Sequence, residues 1–355
     1  MINLKIGKKK IGLENPTYFI ADIGANHDGN LSRAKKLIKL AKSSGADAVK
    51  FQHFEAKTIV SDYGFKKISS LKSHQSKWKK SVYSVYKAAS INKNWTKILK
   101  SYSDKIGIEF MTSPYALKIV DEINPYVKAI KIGSGDITWI DIIKKIAHKK
   151  KVGMLATGAS KIEEVKSAVK EYLKINKSLV LMQCNTNYTG DINNIKFVNL
   201  NVLKQFKKMF PNTVLGLIDH TFGHASVLGA VTLGARVIEK HFTDDNKRIG
   251  PDHYFAMNPK TWRDMVDKTR ELEFALGDGV KRIEKNELNT VVVQRRSIRA
   301  NKNLKKGTKL NENHFEYLRP CPKNALRPSD KKLLLKKKLR KNIKHHEVIL
   351  KKDVK

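Results

Sequence analysis

NLSRAKKLIKLAKSSGADAVKFQ, residues 30–52, is the stretch from which the fold can be read. Leu31–Ser43 carries its apolar residues at helical spacing, with Lys35, Lys36, Lys39 and Lys42 on the polar face. A glycine turn follows, then Ala48–Phe51, a short apolar run ending in polar residues. Helix, turn and short apolar strand make up part of a repeated βα unit. The same short runs occur at Tyr18–Ile23, Ile108–Met111, Ala129–Ile132, Val152–Leu155, Leu179–Gln183, Val214–Leu217 and Arg236–Lys240. Helix-spaced segments such as Ile162–Leu173 and Asn199–Lys208 lie between them. Eight strands with intervening helices predict an α/β fold, a (β/α)8 TIM barrel. An open doubly wound sheet has no natural reason to stop at eight. Glu55–Ile91 reads as an insertion after the second strand.

The pattern changes after about residue 280. Gln294–Ala300, Lys302–Leu310 and His314–Arg319 read as short strands, the second broken by a Lys-Lys-Gly turn, and Ser329–Leu335 as a helix. The expected organisation is a barrel over residues 1–283, a linker over 284–292 and a small, mostly β domain over 293–355. A domain that small has little core of its own and is expected to depend on docking against a barrel.

Composition narrows the class. The chain has 355 residues, 41% of them hydrophobic, enough for a large core and against disorder as the default. Two cysteines, Cys184 and Cys321, cannot write a disulfide framework and fit a reducing compartment. The opening MINLKIGKKKIG lacks a signal-peptide pattern, and no segment approaches the roughly 18 uncharged apolar residues of a membrane helix. A cytoplasmic protein with no membrane partner is expected. The net charge of +38 would attract nucleic acid or an anionic membrane if it were concentrated. The lysines instead run from Lys8 to Lys355, largely on polar helix faces, so the reading is a solvated surface and no nucleic-acid partner. Its field would still gather a small anionic substrate.

Catalytic groups of such a barrel sit at the C-terminal strand ends. Those ends here carry Asp22, Asn26 and His27; Lys50 and Gln52; Thr112 and Ser113; Lys131, Ser134 and Asp136; Thr157; Asn185, Asn187 and Tyr188; Asp219 and His220; Lys240 and His241. A purely structural barrel needs no such ring, because buried charge is costly without a partner or ligand. Lys50 and Lys131, converging with Ser113 and Ser134, suit a small anion bearing phosphate and carboxylate; the alternative is salt bridges to Asp22 or Asp136. His220 and His241 end neighbouring strands about 5 Å apart, close enough to share a divalent cation, and spacing alone does not choose among manganese, magnesium, cobalt and zinc. Asp22, Asp136 and Asp252, the last in the IGPDHYF loop, are the candidate acid/base carboxylates.

Taken in order, IADIGANHDG, GADAVKFQ, FMTSP, IKIGSGD, LATG, GLIDHT, EKHFTD and GPDH resemble the sialic acid synthase family. RRSIRANKNLKKGTKL and YLRP resemble its C-terminal antifreeze-like (SAF, β-clip) domain. The resemblance implies a domain-swapped homodimer that condenses phosphoenolpyruvate with N-acetylmannosamine or a related N-acetylated hexose. A diacetamido-trideoxyhexose leading to legionaminic or pseudaminic acid is the alternative acceptor. It further implies that Lys50, Ser113, Lys131 and Ser134 hold phosphate and carboxylate, and that His220 and His241 ligate the metal, manganese before magnesium or cobalt. Gln52, Tyr188 and Asp252 would contact the sugar, with Asp136 nearby, and Arg319 of a partner would contact its N-acyl group. Asp22 stands where the family usually has glutamate, the residue associated with the attacking water. Ala156 and Ile218 stand where serines are common, and CNTNYTG replaces a frequent Tyr-Pro pair.

Overall fold

The computed structural model describes residues 3–68, 75, 78–188 and 191–355. The chain forms two compact units, Met1–Gly277 and Asp278–Lys355. The expected linker, 284–292, lies within the second unit and includes most of a helix, Leu288–Gln294.

The first unit begins with an antiparallel hairpin, β1 (Leu4–Ile6) and β2 (Lys9–Ile11). Eight parallel strands then close into a barrel: β3 (Tyr18–Asp22), β4 (Ala48–His53), β5 (Glu109–Pro114), β6 (Ala129–Ile132), β7 (Val152–Ala156), β8 (Leu179–Cys184), β9 (Val214–Ile218) and β10 (Ala235–His241). All eight expected strands are present, and the barrel closes where β10 pairs with both β9 and β3. Strand alternation divides the apolar residues into two sets. Phe19, Val49, Phe51, Phe110, Leu155 and Ile238 point outward and pack against the helices. Ile20, Ala48, Met111, Met154, Met182 and Val237 point inward and join Leu4, Ile6 and Ile11 of the hairpin, which closes the barrel's N-terminal end. The insertion after β4 contains short helices at Ala56–Ile59, Asp62–Lys67 and Val82–Ala89, while its residues 69–74 and 76–77 lie outside the described residues. No described helix is long and apolar enough to cross a membrane.

In the second unit β11 (Ser297–Ala300) pairs antiparallel with β12 (Phe315–Leu318) over a core of Ile298, Leu304, Leu310, Leu334, Leu339, Ile343 and Ile349. Lys302–Leu310, expected as a strand broken by its Lys-Lys-Gly turn, forms no ladder on either side of that turn. Isolated bridges, Leu304 to Ile343 and Lys309 to Lys338, hold it instead, since the Lys305–Gly307 turn interrupts any ladder. Ser329–Leu335, expected as a helix, is a short 3-10 turn over Pro328–Leu333. KNLKKGTKL (302–310) and KNIKHHEVI (341–349) are two copies of one pattern. Leu304 and Ile343 exchange both backbone hydrogen bonds, at 2.8 and 2.9 Å. Around them Lys306 N donates to Asn342 Oδ1 at 2.8 Å and His345 N to Asn303 Oδ1 at 2.9 Å. The two loops are thus related by a local two-fold axis.

Candidate active site

Strand register brings the polar strand ends together. His241 is level with Asp22, Asp22 with Lys50, and Gln52 with Ser113. All five sit at positions whose alternation points into the barrel, as does Lys131. Asp22 is the hub: its Oδ2 accepts from Lys50 Nζ at 2.7 Å and Gln52 Nε2 at 3.1 Å, and its Oδ1 from Gly24 N at 3.0 Å. The Lys50–Asp22 salt bridge weighed from sequence therefore exists, inside the site.

One residue that sequence reasoning passed over completes this centre. Glu239, two positions before His241 on β10, is buried, and its Oε1 lies 3.5 Å from Lys50 Nζ and 3.7 Å from Lys131 Nζ. The available signal was parity, since residues two apart on a strand face the same way. Two residues are also about 7 Å of strand, so Glu239 starts deeper in the barrel than His241. Parity equally removes Asp219 and Lys240 from the ring. They point outward, where Lys240 Nζ meets Asp219 Oδ2 at 2.5 Å and Ser226 and Thr221 donate to the same carboxylate. That pair locks β9 and β10 to the helix Ala225–Thr232. Thr112 also faces outward, bonded to Phe51 O and His53.

The electrostatics follow from burial. Removal from water works against the Lys50 ammonium, but Asp22 and Glu239 outweigh it and hold its pKa above the ordinary range. Lys131 has weaker compensation, so burial leaves its pKa lowered despite Glu239. Burial also opposes the Asp22 carboxylate, yet Lys50 and His241 win, and Asp22 stays below the usual range. Asp136 goes the other way: burial dominates the pull of Lys131 and raises it to about 6. Ser113 Oγ is buried without a hydrogen-bond partner, as is Glu239 Oε2. Ser134 Oγ accepts from Gly158 N at 3.1 Å on the next loop. An unsatisfied hydroxyl beside two buried ammonium groups is a prepared anion cradle.

The rings of His220 and His241 are 5.6 Å apart. His220 Nδ1 lies 2.9 Å from Asn185 O, so that nitrogen donates and Nε2 keeps its lone pair. Burial and the neighbouring imidazole push the His220 pKa down to about 3, keeping it neutral. His241 Nε2 is 3.6 Å from Asp22 Oδ2, while its Nδ1 is buried without a hydrogen bond, 3.8 Å from Asp252 Oδ2. Two neighbouring imidazoles, one held by a backbone carbonyl, fit an open divalent-metal site. Asp252 Oδ2 also accepts from Ala25 N at 3.2 Å. Gly24, at φ +49°, is required here: a Cβ would stand 2.9 Å from Asp252 Oδ2 and 3.3 Å from His241 Nδ1.

Tyr188 covers the pair, its ring 4.3 Å from His220 and 6.1 Å from His241; Thr189 and Gly190 of its loop lie outside the described residues. Phe255 packs 5.1 Å from His241 and opens onto a cleft of about 600 Å³ lined by Phe222, Tyr254, Ala256 and Met257, with Lys247 and Arg248 also on its wall. Arg248 is engaged by Asp28 at 2.8 Å. Arg319 belongs to the second unit and is exposed there, just after β12.

The sequence pattern of the NeuB family matches residues 37–281. An N,N'-diacetyllegionaminic acid synthase from Campylobacter jejuni is 35% identical, over 94% of this chain and 98% of its own. A pseudaminic acid synthase from the same species is 33% identical over 95% of this chain and 96% of its own. Among solved structures, an N-acetylneuraminic acid (sialic acid) synthetase from Leptospira borgpetersenii, in complex with citrate, superposes with a TM-score of 0.71 at 27% identity. It covers 82% of this chain and 95% of its own.

Proposed function

We propose, since this chain belongs to the NeuB family, that it is a nonulosonic acid synthase condensing phosphoenolpyruvate with an N-acetylated hexose and releasing phosphate. The observation that carries the reading is the buried set of Lys50, Lys131 and the unpartnered Ser113 hydroxyl in the same barrel as two neighbouring imidazoles.

Lys50, Lys131, Ser113 and Ser134 hold the phosphate and carboxylate, fixing the enol carbon below the acceptor. The electron pair of the C2–C3 double bond forms the new bond from C3 to the acceptor's aldehyde carbon, whose C=O π pair moves onto the oxygen and takes up a proton to give a hydroxyl. Cationic character at C2 is relieved by a water that gives up a proton in balance, and the C2–O bond to phosphate then breaks to release inorganic phosphate and leave a C2 ketone. His220 and His241 are the residues that would hold a divalent metal, manganese first. Bound there, such an ion supplies Lewis-acid polarisation of a carbonyl oxygen. Asp22, ionised and fixed by Lys50 and Gln52, orients the attacking water, whereas Asp136, with its pKa near 6, suits the proton transfer. Gln52, Tyr188 and Asp252 line the acceptor's side.

For the acceptor, a diacetamido-trideoxyhexose is placed before N-acetylmannosamine. The two synthase relatives named for diacetylated or pseudaminic products span nearly all of the chain, which supports the same choice. Residues 293–355 are read as an antifreeze-like domain that lends Arg319 to a partner's acceptor site in a homodimer. The test is to incubate pure protein with phosphoenolpyruvate, Mn²⁺ and a panel of acceptors, following phosphate release and product mass. No release with any N-acetylated hexose overturns the reading.

A further inference from the structure

The second unit contains a cluster that the barrel chemistry does not use. Glu316 on β12 faces the turn Lys344–Glu347, and one ligating atom from each of Glu316, His345 and His346 lies within 4.8 Å of the other two. His346 Nε2 is 3.5 Å from Glu316 Oε1, and the two imidazole rings are 3.7 Å apart. Glu316 Oε1 is buried and accepts no hydrogen bond, an arrangement that disfavours a bare carboxylate oxygen.

The turn is held in place from several sides. His345 N donates to Asn303 Oδ1, His346 N donates to Ala300 O at 2.8 Å, and Arg299 Nη1 donates to His346 O at 2.8 Å. The local two-fold supplies a separate observation. Where the first copy of the pattern has Gly307 at φ +86°, the second has His346 at φ +67°. Residues with a Cβ are disfavoured in that region, and the matching loop uses glycine. The sequence therefore retains strain in order to keep an imidazole beside Glu316.

We infer that Glu316, His345 and His346 form a second metal site, taking a late first-row divalent ion of the zinc class. Two imidazoles and one carboxylate select zinc or its neighbours over magnesium or manganese. A separation of 3.5 Å matches the edge of a tetrahedron whose centre is about 2.1 Å from each donor. The imidazoles of His345 and His346 are exposed. An ion there clips β12 to the 344–347 turn, a large gain for a unit with so small a core.

The experiment uses the metal-stripped full-length chain with zinc chloride, read by equilibrium dialysis and thermal unfolding. Wild type is expected to bind one equivalent more than His346→Gly and to show a zinc-dependent rise in unfolding temperature that the variant lacks. His346→Gly should unfold at a higher temperature than wild type in the absence of zinc, because the strain is relieved. Glu316→Gln loses the zinc response without that gain and guards against misreading a folding defect. Equal zinc equivalents and equal thermal shifts in all three proteins would overturn the proposal and leave a histidine–carboxylate ion pair only.

Discussion

Lys131 keeps its charge inside the barrel through Glu239, whose Oε1 lies 3.7 Å from the ammonium nitrogen. Burial lowers the Lys131 pKa, and Glu239 is the largest influence raising it. Glu239→Gln removes that support, so Lys131 should lose its proton at lower pH. The alkaline limb of kcat/KM for phosphoenolpyruvate is expected to move down by about one pH unit. An unmoved limb in a full pH profile would mean that Glu239 does not sustain the lysine's charge.

Asp136 makes the opposite linkage. Its folded pKa of about 6 lies above the unfolded carboxylate value, so it contributes stability that is complete below pH 4 and lost as pH rises to about 6. Asp136→Asn should therefore raise stability at pH 7.5 by about 1–2 kcal/mol, measured by denaturant unfolding. The same change should lower turnover and abolish an acid limb near pH 6. Retention of that limb would assign it to another group.

His220→Ala should reduce turnover at saturating Mn²⁺ by about 10²-fold or more and abolish the Mn²⁺-dependent shift in unfolding temperature. Full turnover in the variant would remove His220 from the metal site.

Arg319 and Lys131 allow a complementation test of the proposed dimer. Arg319→Ala should raise the KM for the sugar more than that for phosphoenolpyruvate. Mixed with inactive Lys131→Ala, subunit exchange should restore about one quarter of wild-type activity, because half the dimers would carry one intact site. No recovery after demonstrated exchange would place the arginine elsewhere.

The barrel was legible because each strand is a short apolar run flanked by helix-spaced segments. The difference between ring and wall was not. Asp219 and Lys240 look, in sequence, as catalytic as His220 and His241, and only alternation relative to the barrel axis separates them. Glu239 was overlooked for the same reason, hidden between an apolar strand body and a more conspicuous histidine. In the second unit, Lys302–Leu310 has the composition of a strand, but its partners, Ile343 of the other copy and Lys338 just before it, are distant in sequence, which periodicity within one segment cannot reveal. Asp136 and Asp22 are chemically alike on paper. Their opposite pKa directions arise from who sits beside them, which only the packed chain decides.

The β1–β2 hairpin under the barrel has a kinetic consequence. With Leu4, Ile6 and Ile11 sealing the lower end, the site is a cup with a single mouth. On the proposed roles, a sugar seated on the mouth side of Lys50 and Lys131 would trap the small anion they hold. That arrangement implies a binding order: the small anion enters first, the sugar second, and inorganic phosphate departs only after the new acid has cleared the opening.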